Sequence, residues 1–352
     1  MYELRDPGIQ LPEHTARLRG GHVESYFLKA NEPEGPRALW IKFTVLVPLQ
    51  GEPLAEVWAI VFDARSGRHL ARKRSFPLAA ARLARGRIGF AAGGCRLEDG
   101  YTEGVLAEPA PAAASPGAQG AGAPAPAPPP LRWALRWRAG APPLRLLPYE
   151  PLYRWGAFPR TKSLTPYPDA RLWGWIEIGS RRIAVADWPG CLGHNWGREH
   201  APRYAWAHCN AFAASPGSWF EGASAQLQLG PLTLPYATVL YLHHAGRAYD
   251  FRGVRHWFRT AAEVELYRWR FRARSAEAEL EGEVACEPRA LVGLRYQQPD
   301  GRTSYCLNSK IARMRLRLRA PDGRLLAALD SADKAALELL VREPEHGVPL
   351  YC

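Results

Sequence analysis

The segment 188–221 concentrates side chains that could transfer protons or contact a ligand. It holds three histidines, two cysteines, two glutamates and four tryptophans. Titratable groups interleaved with large aromatic residues are typical of a closed, mostly apolar ligand pocket. Gly193 and Gly197 bracket the run His194-Asn195-Trp196. Glycines at such positions indicate either a tight turn or a close approach of the backbone to another group.

A carboxyl group in such a pocket has a specific chemical use. Burial keeps it neutral near pH 7, so that its proton is available for transfer to an isolated C=C bond. Glu221 is the first candidate for this acid, because strand alternation places it on the same side as Trp219. Glu199 is the second candidate, and Asp187 is the third. The alternative for Glu221 is an ion pair with an arginine at the rim of a barrel.

Protonation of a C=C bond produces a carbocation, which the face of an aromatic ring stabilises. Trp196, Tyr204 and Trp206 are the candidates for this role, and the alternative is that they are core aromatic residues. His194 and Asn195 are predicted to orient the acid or a water molecule, or else to cap a backbone turn. The other candidates for ligand contact are His208, Trp219, Glu24 and Tyr26.

Other classes of chemistry lack the sequence patterns that they need. The candidate metal ligands have spacings that match no zinc pattern; they are Cys191, His194, His200, His208 and Cys209. The chain has no GxSxG motif, no Walker loop and no GxGxxG motif. A Cys–His pair is recognised by its geometry in space, so Cys191 and His194 alone predict no nucleophile. We therefore predict neither a metal nor a cofactor.

The elements that must position these residues are predominantly β-strands. Apolar and polar residues alternate cleanly over 131–138, 267–274 and 313–319, as in half-buried strands. The runs 40–47 and 57–62 are short, apolar and β-branched, which predicts buried strands. A late helix is predicted over 331–342. The Ala-Pro-Gly segment 108–130 is predicted to be a disordered loop within a domain, or else an interdomain linker.

The positive charge is arranged in a way that argues against nucleic-acid binding. The net charge is +12, but arginines alternate with apolar residues instead of forming a block. The arginines of 268–274 and the glutamates of 277–283 predict a hairpin, with Arg274 opposite Glu277 over a turn at Ser275-Ala276. Because that turn pair is unfavourable, a wider loop is the alternative. Charges neutralised within a sheet are not available to bind phosphates.

The run 190–197, followed by Trp206-Ala207-His208, resembles the motif of a lipocalin-like family. This family includes hydroxyneurosporene synthase (a carotenoid hydratase), AttH-type proteins and tocopherol cyclase. Further matching segments are 24–27, 40–44, 56–63 and 173–176. The resemblance implies two calycin-type barrels side by side, enclosing a cavity for a long isoprenoid or a similar lipid. Members of the family add water to a C=C bond or cyclise a phenol onto one.

These observations predict an all-β protein of two lipocalin-like antiparallel barrels with a short C-terminal helix. The predicted domains are 1–200 and 201–352. The predicted function is cofactor-independent protonation of a C=C bond in a lipophilic, isoprenoid-type substrate, leading to hydration or cyclisation. The alternative is a carrier that binds a hydrophobic small molecule without reaction.

The remaining predictions concern partners and location. The expected partner is a hydrophobic small molecule and not a nucleic acid, and the charge permits contact with an anionic membrane surface. Six cysteines without a CxxC pair, and a start without signal-peptide features, predict a cytoplasmic protein with free thiols. The sequence carries no indication of oligomeric state.

Overall fold

The computed structural model describes residues 8–11, 21–107, 129–154, 159–229 and 232–351 of the 352-residue chain. Regular structure in these ranges is almost entirely antiparallel β. The predicted disordered loop, 108–130, lies outside the described residues except for its last two positions. None of the described helices is long and apolar enough to cross a membrane.

The first half of the chain forms one curled sheet. Its described strands are β1 (His22–Asn31), β2 (Arg37–Val47), β3 (Leu54–Asp63), β4 (Leu70–Pro77), β5 (Arg82–Leu83), β6 (Gly89–Ala92), β7 (Cys95–Glu98), β8 (Tyr101–Leu106), β9 (Leu131–Ala139), β10 (Leu144–Arg145), β11 (Thr161–Ile178) and β12 (Arg181–Gly197). The strand order is β4-β3-β2-β1-β12-β11-β9-β8-β7-β6-β5, and β10 pairs with β11. A short helix, α1 (Glu150–Arg154), precedes β11.

The second half forms another curled sheet. Its described strands are β13 (Tyr204–Cys209), β14 (Trp219–Leu229), β15 (Leu232–His244), β16 (Arg247–Asp250), β17 (Ala261–Glu265), β18 (Arg268–Arg274), β19 (Glu279–Ala285), β20 (Val292–Gln297), β21 (Thr303–Arg319) and β22 (Leu325–Val341). Their order is β16-β15-β14-β13-β22-β21-β19-β18-β17, with β20 paired to β21. A four-residue helix, α2 (Val254–Trp257), follows β16. The domain boundary at residue 200 stays a prediction.

Each sheet curls around an apolar core of its own. In β9 the side chains of Trp133 and Trp137 are buried in the first core, while Arg132 and Arg136 are exposed. The same alternation buries Trp269 and other apolar residues of β18 in the second core. The strands predicted from alternation at these places are therefore confirmed.

A third apolar cluster joins the outer faces of the two sheets, and we call this contact the junction. The first sheet contributes residues such as Phe27, Trp40 and Trp58, and the second contributes Trp206 and Leu340. Strands at the junction are covered on both faces, so all ten residues of β1 are buried. Side chains pointing away from either core are thereby removed from water as well.

The predicted helix over 331–342 is wrong, because residues 331–341 belong to strand β22. Every residue from 335 to 341 in this strand is buried. Ala335, Leu337 and Leu339 face the second core, whereas Ala336 and Leu340 face the junction. A strand buried on both faces has a continuous apolar run, and such a run is not distinguished by its pattern from a buried helix. Pairing with both β13 and β21 overrides the helical propensity of alanine and leucine.

The predicted Arg–Glu hairpin forms, but its register differs by two residues. Arg274 lies opposite Glu279 instead of Glu277, and Arg270 lies opposite Glu283. The connection is the wider loop 275–278, in which the Ser275 hydroxyl accepts hydrogen bonds from the backbone amides of Glu277 and Ala278. These bonds stabilise a turn that a bare Ser-Ala pair does not favour. The arginines remain paired with carboxylates across the sheet.

The glycine-rich run 190–197 is not a turn but part of the continuous strand β12. The close-approach interpretation accounts for Gly193, which lies opposite Phe27 in the ladder between β1 and β12. A Cβ atom on Gly193 would lie 2.1 Å from the Phe27 ring. The missing side chain makes room for that ring, which packs edge-on against Trp206 at a centroid distance of 5.2 Å.

Candidate functional site

A cavity of about 160 Å³ opens between the two sheets at the junction. We call it the junction cavity. Phe27, Trp40 and Lys42 line it from the first sheet, and Tyr204 and Trp206 line it from the second. Its walls are mostly apolar and aromatic, with a few polar groups, which is the usual makeup of a small-molecule site.

Glu221 lies directly behind the wall of this cavity. Its carboxyl is fully buried, and its Oε1 atom accepts hydrogen bonds from Thr165 Oγ1 at 2.7 Å and from Trp206 Nε1 at 3.1 Å. Trp206 and Ala223, the neighbours of Glu221 on the same face, line the cavity themselves. The second oxygen, Oε2, is buried without a hydrogen-bond partner among the described residues.

An irregularity in β11 brings Thr165 within reach of Glu221. The register of β11 against β12 shifts between Leu164 and Tyr167, where β11 accommodates one extra residue. Such a bulge bends a strand and changes the direction of its side chains. Thr165 lies within the irregular stretch, and its hydroxyl reaches across to Glu221 on β14. The acid is therefore held by one residue from each sheet.

The pKa of Glu221 is raised from 4.5 to about 7. Burial is the main cause, because removing the carboxylate from water disfavours its charged form. The hydrogen bonds from Thr165 and Trp206, and the charge of Arg252, act in the opposite direction but are weaker. Near neutral pH this carboxyl is therefore divided between its acid form and its base form. A group of that kind can donate a proton and take it back.

A second group of the predicted residues meets inside the first sheet, on the other face of β12. Glu24 accepts hydrogen bonds from His194 Nε2 at 2.7 Å and from His22 Nε2 at 2.9 Å. The imidazole of His194 stacks on Tyr26 at a centroid distance of 4.2 Å and lies 4.7 Å from Trp196. His194 is therefore bound to Glu24, and its hydrogen bond does not reach Glu221.

Glu24 has the opposite protonation behaviour to Glu221. Burial by itself raises the pKa of Glu24, but the hydrogen bonds from His194 and His22 outweigh it and lower the pKa to about 2. A depressed pKa of this kind stabilises the fold above the ordinary value of 4.5, and this stabilisation is lost as the pH falls towards 2. The chain therefore contains two buried glutamates whose environments shift their pKa values in opposite directions.

Glu24→Gln is expected to lower the free energy of unfolding by about 3 kcal/mol at pH 7, from a depression of about 2.5 pH units. The difference from the wild-type chain should shrink between pH 4.5 and pH 2, because the wild-type carboxylate becomes protonated in that range. Urea unfolding at pH 7, 4.5, 3 and 2 measures the difference. A difference that stays constant across these pH values would contradict the assignment.

The other predicted residues lie at varied distances from the junction cavity. Asn195 and Glu199 line it, but Glu199 is engaged in ion pairs with Arg160 and Arg302. Asn195 Oδ1 is buried without a hydrogen-bond partner among the described residues. Alternation along β12 places Asn195 on the junction face, opposite to His194. The two residues therefore cannot orient one group together.

His208 and Trp219 are buried, and neither lines the junction cavity. His208 nevertheless lies opposite Glu221 in the ladder between β13 and β14 and stacks on Trp206 at a centroid distance of 6.2 Å. His208 Nε2 donates to the Pro168 carbonyl oxygen at 2.6 Å, so its proton is on Nε2, because a carbonyl oxygen only accepts. Burial lowers the pKa of His208 well below its usual value and keeps it neutral. Trp219 stacks on Tyr241 at 4.9 Å, farther along β14. The exposed third candidate, Asp187, forms an ion pair with Arg171 on the surface.

Sequence reasoning missed a set of buried lysines at the junction. The members are Lys29, Lys42 and Lys310, and each is at most 6% exposed. Lys310 Nζ donates to Glu338 Oε1 at 2.7 Å, and Lys29 Nζ donates to Asn210 Oδ1 at 3.2 Å. A signal for two of them is present, because only six of the 46 basic Lys and Arg residues are lysines, and Lys29 and Lys42 stand within apolar runs. Lysine in such a run is rarely fully buried unless it is paired.

No group of three or more His, Cys, Asp or Glu side chains in the described ranges is placed to hold a metal ion. The five described cysteines, at 95, 191, 209, 286 and 306, are free thiols. Burial is the main cause that raises the pKa of each, including Cys191 to about 12. A thiol with a raised pKa is a weak nucleophile.

Residues 167–339 match a family model described as tocopherol cyclase-like. The matched range includes most of β11, all of β12 and the strands that carry Trp206 and Glu221. The predicted resemblance to the lipocalin-like family is therefore confirmed. Two uncharacterized proteins from Mycobacterium tuberculosis, of strains H37Rv and CDC 1551, are each 24% identical over 306 residues, covering 86% of this chain and 83% of theirs.

Several solved structures share the arrangement of the two sheets. An AttH protein from Nitrosomonas europaea aligns with a TM-score of 0.53 at 14% identity, covering 96% of this chain and 98% of its own. Kievitone hydratase from Nectria haematococca aligns with a TM-score of 0.50 at 9% identity, covering 92% and 89%. CghA aligns with a TM-score of 0.52 at 10% identity, covering 92% and 88%. At such identities these alignments establish the fold alone, and they confirm the predicted pair of barrels side by side.

Proposed function

We propose, from the tocopherol cyclase-like character of residues 167–339, that the protein is a hydratase-like or cyclase-like enzyme that protonates a C=C bond without a cofactor. Its substrate is a lipophilic, isoprenoid-type molecule held in the junction cavity. The observation that supports this most directly is the buried carboxyl of Glu221, which has one unpartnered oxygen and lies behind an aromatic wall. The kievitone hydratase that shares the fold is, by its name, a hydratase.

The proton moves from Glu221 to one carbon of the C=C bond. The π electrons form the new C–H bond, a carbocation is left on the other carbon, and Glu221 becomes a carboxylate. Water, or a hydroxyl of the substrate itself, then adds to the carbocation, and its surplus proton returns to Glu221. The result is net addition of water in the first case and ring closure in the second. No electron donor or acceptor is required.

The neighbours of Glu221 suit both states of this cycle. Thr165 and Trp206 donate to Oε1, so they stabilise the carboxylate that forms when the proton leaves. The indole ring of Trp206 and the ring of Tyr204 line the cavity, where their faces can stabilise the carbocation.

Deuterium labelling tests the proposal without knowledge of the natural substrate. Acyclic isoprenoid alcohols of 10, 15 and 20 carbons are incubated with the protein in D₂O, and the products are analysed by gas chromatography with mass spectrometry. We expect deuterium on carbon together with either an added hydroxyl or a new ring, and no such product with heat-inactivated protein. Binding of these alcohols without any deuterium on carbon would instead favour the carrier.

Trp206→Phe keeps an aromatic ring but removes the N–H that Glu221 accepts. Loss of a hydrogen bond to the carboxylate should raise the pKa of Glu221 further, by about one pH unit. Activity requires the protonated acid, so it is present below this pKa and falls as the pH rises through it. The alkaline limb of the pH–rate profile should therefore move upwards from its wild-type position near pH 7. An unmoved limb would show that Glu221 is not the titrating acid.

A further inference from the structure

Lys42 is a buried amine in the wall of the junction cavity. It lies on β2, on the junction face, and is 6% exposed. Its Nζ atom is 3.9 Å from the centre of the Tyr296 ring and 5.9 Å from that of Trp40. No nitrogen or oxygen atom of the described residues forms a hydrogen bond with this Nζ, and no carboxylate among them lies within ion-pair distance. Burial is the main cause that lowers the pKa of Lys42.

The other buried lysines of the described chain differ from Lys42 in this respect. Each of them donates to at least one protein oxygen: Lys29 to Asn31 and Asn210, Lys162 to the Pro159 carbonyl, and Lys310 to Asn308 and Glu338. Buried charges are normally paired or fully hydrogen-bonded, because burial without partners is costly. Lys42 departs from that rule, and its amine is directed into a cavity.

The ring of Tyr296 compensates only part of this burial. A cation–π contact occupies one side of an ammonium group, which has three N–H donors to satisfy. The described acidic groups that line the same cavity are already engaged: Glu338 with Lys310, and Glu199 with Arg160. His200 also lines it, but burial lowers its pKa to about 3, so the imidazole is neutral. The charges of Glu338 and Glu56 attract Lys42 from beyond ion-pair distance, but neither accepts a hydrogen bond from it, which leaves its donors free for an acceptor on a ligand.

We propose that the ligand of the junction cavity carries an acidic oxygen group, a carboxylate or a comparable oxyanion, which pairs with Lys42 Nζ. This inference deepens the proposed function and rests on its assignment of a lipophilic ligand to this cavity. It makes the ligand amphiphilic, with an anionic end at Lys42 and an apolar remainder along the aromatic wall.

The placement of Lys42 relative to Glu221 gives this ligand a direction. Lys42 lies opposite Phe27 in the ladder between β1 and β2. Phe27 packs edge-on against Trp206, and Trp206 Nε1 donates to Glu221. The Phe27–Trp206 pair therefore lies between the Lys42 amine and the Glu221 carboxyl. A ligand anchored at Lys42 extends past Phe27 towards Trp206, where the carboxyl of Glu221 lies.

Two small probes that differ in one group test the proposal. Geranic acid and its methyl ester share a branched C₁₀ unsaturated chain, but only the acid carries a negative charge at pH 7. Isothermal titration calorimetry with the full chain should show that the acid binds about 10- to 100-fold more tightly than the ester, the range expected for a hydrogen bond to a charged group. Lys42→Met should remove this preference and leave ester binding within about twofold of the wild-type value.

Lys73→Met is the matched control. The Lys73 amine also lies over an aromatic ring, 4.1 Å from the centre of Trp58, but it is paired with Glu56 and does not line the cavity. This variant should keep the wild-type preference for the acid. Equal binding of acid and ester by the wild-type chain, binding of neither, or a preference that survives Lys42→Met would each overturn the proposal.

Ester binding by Lys42→Met also shows whether the variant is folded, so that loss of the charge can be distinguished from loss of the fold. If the acid preference is found but no deuterium enters any product, the function proposed for Glu221 fails while the assignment of Lys42 stands.

Discussion

Glu221→Gln is expected to reduce turnover severely while the chain still binds its ligand. Glutamine has nearly the shape of the protonated acid and can keep the contacts with Thr165 and Trp206 through its amide oxygen, but it has no proton to give. A positioned general acid contributes about 10²- to 10⁴-fold to a rate, and kcat should fall by that factor. KM should change little, because the volume and apolar walls of the junction cavity are retained. Product formation in D₂O measures the loss.

Glu199→Gln is the comparison for this experiment, because Glu199 is the other carboxylate that sequence reasoning selected. It lines the junction cavity but is paired with Arg160 and Arg302 at the rim. Its removal should leave kcat within about a factor of three, as for a surface ion pair. Equal losses from the two variants, or full activity of Glu221→Gln, would contradict the role of Glu221 as the acid.

Stability provides an independent control on Glu221. Its folded-state pKa of about 7 exceeds the ordinary value of 4.5. Between these two pH values the folded chain holds a proton that the unfolded chain has released, so the stability contributed by this group falls as the pH rises. The cost reaches about 3 kcal/mol above pH 7. Glu221→Gln should therefore be more stable than the wild-type chain at pH 8, and the difference should vanish below pH 4.5.

Lys310→Met is expected to lower the free energy of unfolding by about 3–5 kcal/mol. Lys310 is completely buried at the junction, and its amine donates to Glu338 Oε1 at 2.7 Å. Removal of the amine leaves the carboxylate of Glu338 buried, 8% exposed, without its charged partner. The unfolding midpoint in urea, with the slope checked for constancy, measures the effect.

Lys310→Met combined with Glu338→Gln distinguishes the contribution of the ion pair to stability from the contribution of side-chain packing. The double variant removes both charges, and replacing a buried ion pair by neutral groups is often close to neutral in stability. We expect it to recover more than half of the loss seen in Lys310→Met. A double variant as unstable as the sum of the two single variants would show that the two groups act independently.

Most of the strand assignments could be predicted from sequence because one face of the strand meets water. In β9 and β18 the alternation of tryptophan or phenylalanine with arginine reflects that division directly. Strands at the junction lack this alternation of apolar and charged residues, because both of their faces are covered. For that reason the apolar run 331–342 fits a buried helix as well as a strand covered on both faces. The hairpin register was missed because the Ser275 hydroxyl stabilises a wider loop than the charge pattern alone suggests.

The sequence predicts most residues of the candidate site, but it does not predict that they form two separate groups, one around Glu221 and one around His194. Glu221 was selected because it follows Trp219 and Phe220 on a predicted strand, and its burial in the structure is complete. The segment around His194 was expected to face the same pocket, but alternation along β12 turns His194 towards Glu24 inside the first sheet. The bulge at Thr165 depends on pairing between distant strands, which a single sequence does not specify.

The junction cavity is enclosed by residues of both sheets, and neither sheet forms it alone. Its outline is set by how closely Phe27 and Trp40 of one half sit against Tyr204 and Trp206 of the other. Small changes in how the two sheets pack can alter the shape of the junction cavity, while the backbone hydrogen bonds within each sheet stay intact. In such an architecture, ligand specificity can change through the relative position of the two sheets, while the fold of each sheet is retained.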